Sequence, residues 1–205
     1  MKIICVGRNY ARHARELGNE VPEQPVIFMK PATAMLTPGH DFRWPSWSQE
    51  VHYEGELVFH IHQGGKNLEV AQADACWDQV TLGIDFTARD LQHRLKEQRL
   101  PWELAKSFDG SAALGEWLPR NALPPVGEWV FYLERNGKGV QQGYTRDMLF
   151  TPAALLAFCS RYFTLEPGDL LFTGTPEGVG PIAEGDLFSG RLAGEEVLAL
   201  KVRSA

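Results

Sequence analysis

The stretch from Val51 to His62 constrains the fold most, because it alternates like a β-strand along its length. Apolar and aromatic residues recur at alternate positions on one side, which predicts a face buried in the core. The opposite side carries Glu54 and Glu56, whose Cα atoms would lie about 7 Å apart on one strand face. Gly55 between them has no side chain, so another backbone or a ligand can come close. The stretch predicts a sheet-based fold that presents two neighbouring carboxylates.

Three acids together predict a metal site. Two ionised carboxylates in a partly dry site repel each other, so one becomes protonated or a cation lies between them. Asp85 adds a third acid at a strand-to-helix junction, a usual place for a functional acid. Oxygen ligands with open remaining positions suit a hard ion such as Mg²⁺, with Mn²⁺ or Ca²⁺ as alternatives. The competing interpretation of Glu54 and Glu56 is an ordinary solvated strand face.

His60 and His62, near the end of the opening strand, are expected to lie outside this site. His60 would lie about 13 Å along the strand from Glu56, and His62 lies two residues beyond His60. A zinc site built from these histidines and the glutamates is therefore not predicted.

Length and composition indicate one globular domain that covers residues 1–205. The formal charge of −6 argues against a nucleic-acid partner, which requires a basic patch. No apolar run approaches the length of about 20 residues that a membrane span needs, so no membrane association is expected. The three cysteines are widely spaced and form no CxxC pair. They predict neither a disulfide framework nor a zinc knuckle, and a reducing cytoplasm is the expected location.

Strand and turn signals outnumber helix signals along the chain and predict a mixed α+β, β-rich fold. The sequence predicts a helix from Tyr10 to Leu17 with Asn9 as its N-cap, and another over Val70 to Gln79. A third helix is expected from Thr87 to about Gln98, with Thr87 as its N-cap. Residues 102–109 are expected to form a loop or short strand. Asn136-Gly137, flanked by the stretches Trp129–Glu134 and Gly139–Gly143, predicts a β-hairpin.

Two further features could take part in chemistry. His13 and Glu16 are three residues apart on a predicted helix and share a face, so they could form a proton-transfer pair or an exposed ion pair. Lys106 could neutralise an anionic substrate or be an ordinary solvated lysine. The loop from Gly174 to Gly180 lacks the ending of a P-loop, which argues against a nucleotide site. Its backbone amides could still bind a carboxylate.

These motifs, taken in order, resemble the fumarylacetoacetate hydrolase family over nearly the whole chain. The resemblance is to the short, single-domain branch that contains acylpyruvases and oxaloacetate decarboxylases or tautomerases. The segments that carry it are Gly7-Arg8-Asn9-Tyr10 with His13 and Glu16, Phe28-Met29-Lys30-Pro31, His52-Tyr53-Glu54-Gly55-Glu56-Leu57, Asp85-Phe86-Thr87-Ala88-Arg89-Asp90, Leu104-Ala105-Lys106-Ser107-Phe108, and Thr173-Gly174-Thr175-Pro176-Glu177-Gly178-Val179-Gly180.

The resemblance implies a β-sandwich roll with flanking helices, usually dimeric. It implies a water-activating pair on a lid segment, three metal ligands, and side chains that hold the substrate. By position in the motifs, the catalytic residues would be His13, Glu16 and Lys106, the metal ligands Glu54, Glu56 and Asp85, and the substrate contacts Thr175, Lys30, Arg89 and Gln92. The tryptophan-rich loop around Trp44 and Trp47 offers apolar surface that either a homodimer would cover or the loop's own domain would pack against.

The function this implies is metal-dependent hydrolysis of a C–C bond in an acylpyruvate-type 2-oxo acid, with pyruvate enolate as the leaving group. The substrate would be a small molecule. Two other reactions could use the same site: decarboxylation or tautomerisation of oxaloacetate, and isomerisation of a 2-hydroxy-dienedioate from aromatic catabolism. A metal-dependent binding protein without catalysis is the alternative outside enzymes.

Overall fold

The structure is a computed structural model that describes residues 1–16, 18 and 20–204. Leu17, where the first helix is predicted to end, lies outside the described residues. Within them the fold is mixed α+β and rich in strands, as the sequence predicts.

The largest sheet contains both strands that supply the acids. It has eight strands in the described part of the chain, in the order β2-β1-β13-β6-β7-β9-β3, with β10 also paired to β7. Its strands are β1 (Ile3–Gly7), β2 (Val26–Lys30), β3 (Met35–Leu36), β6 (Gly55–Ile61), β7 (Trp77–Asp85), β9 (Ala112–Leu114), β10 (Leu118–Pro119) and β13 (Leu170–Phe172).

Two smaller sheets flank this one. The five-stranded sheet has the order β12-β11-β15-β16-β4, and the three-stranded sheet has the order β14-β5-β8. Their strands are β4 (Phe42–Arg43), β5 (Val51–Tyr53), β8 (Thr87–Ala88), β11 (Val130–Arg135), β12 (Lys138–Tyr144), β14 (Gly180–Pro181), β15 (Leu187–Leu192) and β16 (Glu195–Arg203). The hairpin predicted at Asn136-Gly137 joins β11 to β12. Both turn residues have positive φ, 53° and 72°, as a type I′ turn requires.

The helices are short. They are α1 (Ala11–Glu16), α2 (Val70–Asp74), α3 (Arg89–Glu97), α4 (Glu103–Lys106) and α5 (Pro152–Ser160). Among the described residues, no helix combines the length and apolar character needed to cross a bilayer.

The opening strand is interrupted at Glu54, which separates β5 from β6, but its predicted alternation is confirmed. Leu57, Phe59 and Ile61 enter a large core cluster that also contains side chains of the five-stranded sheet. Val58 points the other way, into a smaller cluster with Phe172. Because β6 is buried on both faces, the acids on its second face are buried as well, and the solvated-face interpretation is wrong.

Three local predictions were wrong. The helix expected over Val70 to Gln79 ends at Asp74, because Trp77 is buried and pairs with β6 as the first residue of β7. Thr87 does not cap α3, since it pairs in β8 and its hydroxyl donates to Glu54. Residues 103–106 are helical rather than extended.

Asn9 has a long-range role instead of the predicted capping role. Its side-chain amide donates to the carbonyl oxygens of Phe150 and Thr173 at 3.0 and 2.8 Å, and its Oδ1 accepts from the Phe150 amide. These bonds fix the start of α1 against the end of β13.

Gly83 offers a test of the packing around β7. A Cβ atom there would lie 2.6 Å from the carbonyl oxygen of Ala113 and 2.7 Å from Cγ2 of Val58. Gly83→Ala should therefore lower the free energy of unfolding by about 1–3 kcal/mol, the usual cost of overpacking. Gly127→Ala is the control, because nothing lies within 4 Å of its Cβ position. Urea unfolding of both variants checks this, and equal stabilities would contradict the packing described.

Candidate metal and substrate site

The three predicted acids converge where β6 begins and β7 ends. Glu54 precedes β6, Glu56 pairs with Gly83 across the two strands, and the Asp85 amide donates to the Glu54 carbonyl at 2.8 Å. One oxygen from each carboxylate lies within 4.8 Å of the others, and all three side chains are buried. The strand register therefore brings together acids that are up to 31 positions apart in the sequence.

The donor set fits a hard divalent cation. Three carboxylates provide only oxygen ligands, and Mg²⁺ is usually held by carboxylates while it keeps several waters. Glu54, Glu56 and Asp85 would hold such an ion, which would supply Lewis-acid chemistry to a bound oxygen. Oδ1 of Asp85 is buried and has no hydrogen-bond partner among the described residues, so it has a free lone pair. Lys30 Nζ lies 2.7 Å from it, an ionic contact outside hydrogen-bond geometry.

Lys106 holds the position between two of the acids. Its ammonium donates to Oε2 of Glu54 at 2.8 Å and to Oδ2 of Asp85 at 2.7 Å. Burial opposes its charge, but the two carboxylates prevail and raise the pKa of Lys106 to about 12. The acids are thus already arranged around a positive charge, and a bound cation would exchange with this ammonium.

Burial and neighbouring charges shift the pKa values of Glu54 and Glu56 in opposite directions. Burial disfavours the carboxylate of Glu54, but the charges of Lys106 and Arg89 outweigh it and hold its pKa well below the ordinary value. Burial, together with the charges of Asp85 and Glu54, raises the pKa of Glu56 well above its ordinary value. Without a cation, therefore, Glu56 is the acid that favours the protonated form.

The segments around Arg89 and Gln92 support Glu54. Arg89 donates from NH2 to Oε1 of Glu54 at 2.5 Å and from NH1 to Gln92 at 2.6 Å. Thr87 donates to the same Oε1 at 3.0 Å. Sequence reasoning missed Thr87 as a site residue because its position suggested a helix cap.

Lys30 lies behind the acids. Besides its contact with Asp85, its ammonium donates to the Ser111 carbonyl at 3.0 Å, to the Ser111 hydroxyl at 2.9 Å, and to the Lys106 carbonyl. These partners place Lys30 as support for Asp85 and Lys106. Its substrate contact stays a prediction.

His13 on α1 lines the cavity, and Glu16 on the same helix lies beside it. Glu16 Oε2 lies 3.2 Å from Nδ1 of His13, and the Gly178 amide donates to Glu16 at 3.2 Å. His13 is buried, which argues against an exposed ion pair. A proton on Nδ1 leaves the lone pair of the neutral ring on Nε2.

The loop from Gly174 to Gly180 binds carboxylates, as its backbone amides suggested, but they belong to the protein. The Gly174 amide donates to Glu56 at 2.7 Å, and the Gly178 amide to Glu16. Gln141 supports this loop: it donates to the Thr175 hydroxyl at 2.8 Å and accepts from the Gly55 amide at 2.8 Å. The close approach predicted at Gly55 is therefore made by Gln141.

One cavity of about 40 Å³ joins most of these groups. That volume leaves room for about one water molecule between the lining side chains. The predicted residues in its wall are His13, Glu54, Glu56, Asp85, Arg89, Gln92, Lys106 and Thr175. His60 instead pairs with Asp78 at the far end of β6. Arg8, Lys96 and Trp102 also line the cavity, and sequence reasoning missed their roles.

A family model for the C-terminal domain of fumarylacetoacetate hydrolase matches residues 2–202. The chain belongs to the fumarylacetoacetate hydrolase family. The fold and the resemblance predicted from the motifs are thereby confirmed.

Characterised relatives of the family differ in activity. The mitochondrial oxaloacetate tautomerase FAHD1 of Bos taurus is 38% identical over 204 residues, which cover 98% of this chain and 90% of the relative. A fumarylpyruvate hydrolase from Pseudomonas aeruginosa, solved with Mn²⁺ and pyruvate, superposes with a TM-score of 0.93 at 37% identity, covering 100% of this chain and 90% of the other. A 5-carboxymethyl-2-hydroxymuconate delta-isomerase from Mycobacterium smegmatis superposes with a TM-score of 0.88 at 37% identity, covering 100% of this chain and 79% of the other.

Proposed function

We propose that this protein is a divalent-metal-dependent enzyme that hydrolyses a C–C bond in acylpyruvate-type 2-oxo acids. The observation that carries the proposal is one cavity whose wall contains the three acids, Lys106 and His13, with His13 held by Glu16. Mg²⁺ is the proposed ion, and the Mn²⁺ bound by the Pseudomonas relative supports a divalent metal. A binding protein without catalysis would not need the His13–Glu16 pair.

The residues divide the reaction into two tasks. A divalent ion held by the three acids would polarise the 2-keto group and stabilise the enolate that forms. Lys106, released from its acids, supplies positive potential where that negative charge develops. Nε2 of His13 removes a proton from water, and the resulting hydroxide attacks the distal carbonyl. The C–C bond then breaks, its electron pair leaves with the pyruvate enolate, and the proton held by His13 converts that enolate to pyruvate.

Glu16 keeps His13 in the productive orientation. Its carboxylate holds Nδ1, and the Gly178 amide holds the carboxylate in turn. Thr175 accepts a hydrogen bond from Gln141, which leaves its hydroxyl proton free to donate to substrate.

Tautomerisation or decarboxylation of oxaloacetate is the second candidate, favoured by the identity with the bovine tautomerase. Both reactions pass through an enolate and need no attacking water. Isomerisation of a 2-hydroxy-dienedioate, favoured by the Mycobacterium structure, requires only proton transfer.

A substrate panel tests the proposal. The purified protein is assayed with acetylpyruvate, fumarylpyruvate, oxaloacetate and a hydroxy-dienedioate, with Mg²⁺ and with EDTA. We expect hydrolysis of an acylpyruvate that EDTA abolishes and Mg²⁺ restores. Turnover of oxaloacetate alone would favour the second candidate, and metal-independent turnover would contradict the proposed site.

We also propose a cytoplasmic location, supported by three cysteines that are free and buried. Such thiols persist in a reducing compartment.

A homodimer is proposed from an apolar surface patch in which Trp47 and Leu104 are exposed and Leu91 and Phe108 are half-buried. Trp47 is 49% exposed and Leu104 70% exposed, whereas Trp44 donates to the Ser48 carbonyl and packs on the core. Light scattering at micromolar concentration should give twice the 23.0 kDa chain mass. Leu104→Asp should weaken the dimer at least about tenfold, since burying a charge costs more than 1.4 kcal/mol.

Leu187→Asp is the control for the dimer, because Leu187 is an exposed leucine outside the patch. A 23.0 kDa species for the unmodified protein would contradict the dimer. An equal effect of both substitutions would contradict this patch as its interface.

A further inference from the structure

Two cations share one aromatic ring at the wall of the cavity. The guanidinium carbon of Arg8 lies 5.9 Å from the ring centroid of Trp102, and Nζ of Lys96 lies 5.8 Å from it. Trp102 is held in turn by an edge-on contact with Phe28 at 6.3 Å. All three residues line the cavity that contains the acids. We call Arg8, Lys96 and Trp102 the Trp102 cluster.

The cluster lies at a distance from the acids along one face of α3. Arg89, Gln92 and Lys96 are spaced three and four residues apart, so they share a helix face. Arg89 contacts Glu54, and Lys96 is two turns farther on, about 10 Å along the axis. The helix thus presents a polar row that leads from the acids to Lys96.

Neither cation of the cluster forms an ion pair with an acid among the described residues. The ion pairs of the described residues include Arg89 and Lys106 but neither Arg8 nor Lys96. Both side chains are half-buried, so water screens their mutual repulsion only partly. Burial first, and then the charges of Arg8 and Arg89, lower the pKa of Lys96. An anion placed between the two cations would relieve this repulsion.

The backbone of Arg8 is also strained. Its φ is +62°, in the left-handed region that costs a residue with a side chain about 1 kcal/mol. It directly follows β1, and the same strand end leads into α1 with His13. Such outliers persist where the surrounding structure holds them, and here the conformation carries the guanidinium to the cavity wall.

We infer that the Trp102 cluster binds a second carboxylate, at the end of the substrate remote from the 2-oxo acid group. The inference rests on the proposed function and narrows it to 2-oxo dicarboxylates. Arg8 and Lys96 donate charge-assisted hydrogen bonds to the distal carboxylate, and the Trp102 ring fixes both cations. A 2-oxo acid with an apolar tail would leave the cations unpaired and bind more weakly.

Binding of two unreactive ligands tests this directly. 2-Oxoglutarate and 2-oxopentanoate have the same carbon chain and differ in the distal carboxylate. Isothermal titration calorimetry on the Mn²⁺-loaded protein should show 2-oxoglutarate binding about 10- to 100-fold more tightly, the worth of a charge-assisted hydrogen bond. Lys96→Met should reduce this ratio at least about tenfold, while Lys96→Arg should retain most of it.

Arg94→Met is the matched control, because Arg94 is an exposed cation on the same helix outside the cavity. It should leave the affinity ratio unchanged. Arg8→Gly should lower the ratio as Lys96→Met does, and glycine accepts the positive φ without strain. A fall in the ratio with Arg94→Met as large as with Lys96→Met would mean a general charge effect and overturn the inference.

The outcomes separate the inference from the proposed activity. A ligand preference that Lys96→Met removes, in a protein that turns over no acylpyruvate, would support the distal site and refute the proposed activity. Turnover of an acylpyruvate without any preference for 2-oxoglutarate would support the proposed activity and refute the distal site. If neither ligand binds the metal-loaded protein, both the proposed activity and the distal site are refuted.

Discussion

Glu56→Gln should abolish turnover while leaving the metal-free fold intact. Because burial and two neighbouring carboxylates favour the protonated form of Glu56, a neutral amide of the same shape fits its position. The amide oxygen can still accept from Gly174. Divalent-metal affinity should fall by at least about 100-fold, since even residues that only support metal ligands are typically worth 10–100-fold.

Glu54→Gln should behave differently, although it removes the same charge. Its carboxylate neutralises Arg89 and Lys106, so the amide would leave buried cations without their partner. Breaking a buried ion pair from one side typically costs about 3–5 kcal/mol. We therefore expect loss of both metal binding and stability for Glu54→Gln, and loss of metal binding alone for Glu56→Gln.

Calorimetric titration with Mn²⁺ and thermal unfolding of the metal-free proteins measure the two effects separately. Glu195→Gln, at an exposed position on β16, is the control and should match the unmodified protein in both. Wild-type turnover by Glu56→Gln at low metal concentration would refute the metal site. Equal stability of the two glutamine variants would refute the charge balance described around Glu54.

The acids could be predicted from sequence because each lies on or at the end of a strand with a clear alternating pattern. The pairing register of the adjacent strands β6 and β7, which are connected through α2, then places the acids next to one another. His13 and Glu16 were found for the same local reason, a three-residue spacing on one helix. The resemblance to the family added roles that spacing alone left open.

The rest of the site depends on contacts between distant segments. Lys30 and Ser111 are 81 residues apart, and Gln141 reaches Gly55 across 86 residues. No periodic pattern specifies such pairs. The positions of Arg8, Lys96 and Trp102 in the cavity wall could not be predicted for the same reason, since these residues come from the end of β1, from α3 and from the start of α4. The helix that begins at Val70 is shorter than predicted because Trp77 pairs with β6. This strand pairing overrides the local helix propensity of residues 75–79.

His13→Ala should distinguish hydrolysis from decarboxylation on one protein. Hydrolysis needs an attacking water, and His13 lies in the same buried cavity as the acids. Removing a positioned base typically costs about 10²–10⁴-fold, so acylpyruvate hydrolysis should fall by that amount. Decarboxylation of oxaloacetate needs an electron sink rather than a base, so the same variant should retain a larger share of that activity.

Two further results would identify the base. Glu16→Gln should lose less than His13→Ala, because the imidazole remains and only the charge that orients it is removed. Raising the pH should restore hydrolysis in His13→Ala more than decarboxylation, since hydroxide from solvent partly replaces the missing base. His93→Ala, an exposed histidine on α3, should leave both rates unchanged. The decisive measurement is both rates on one preparation: equal loss of hydrolysis and decarboxylation would mean that His13 positions substrate or closes the cavity, and its role as base would be refuted.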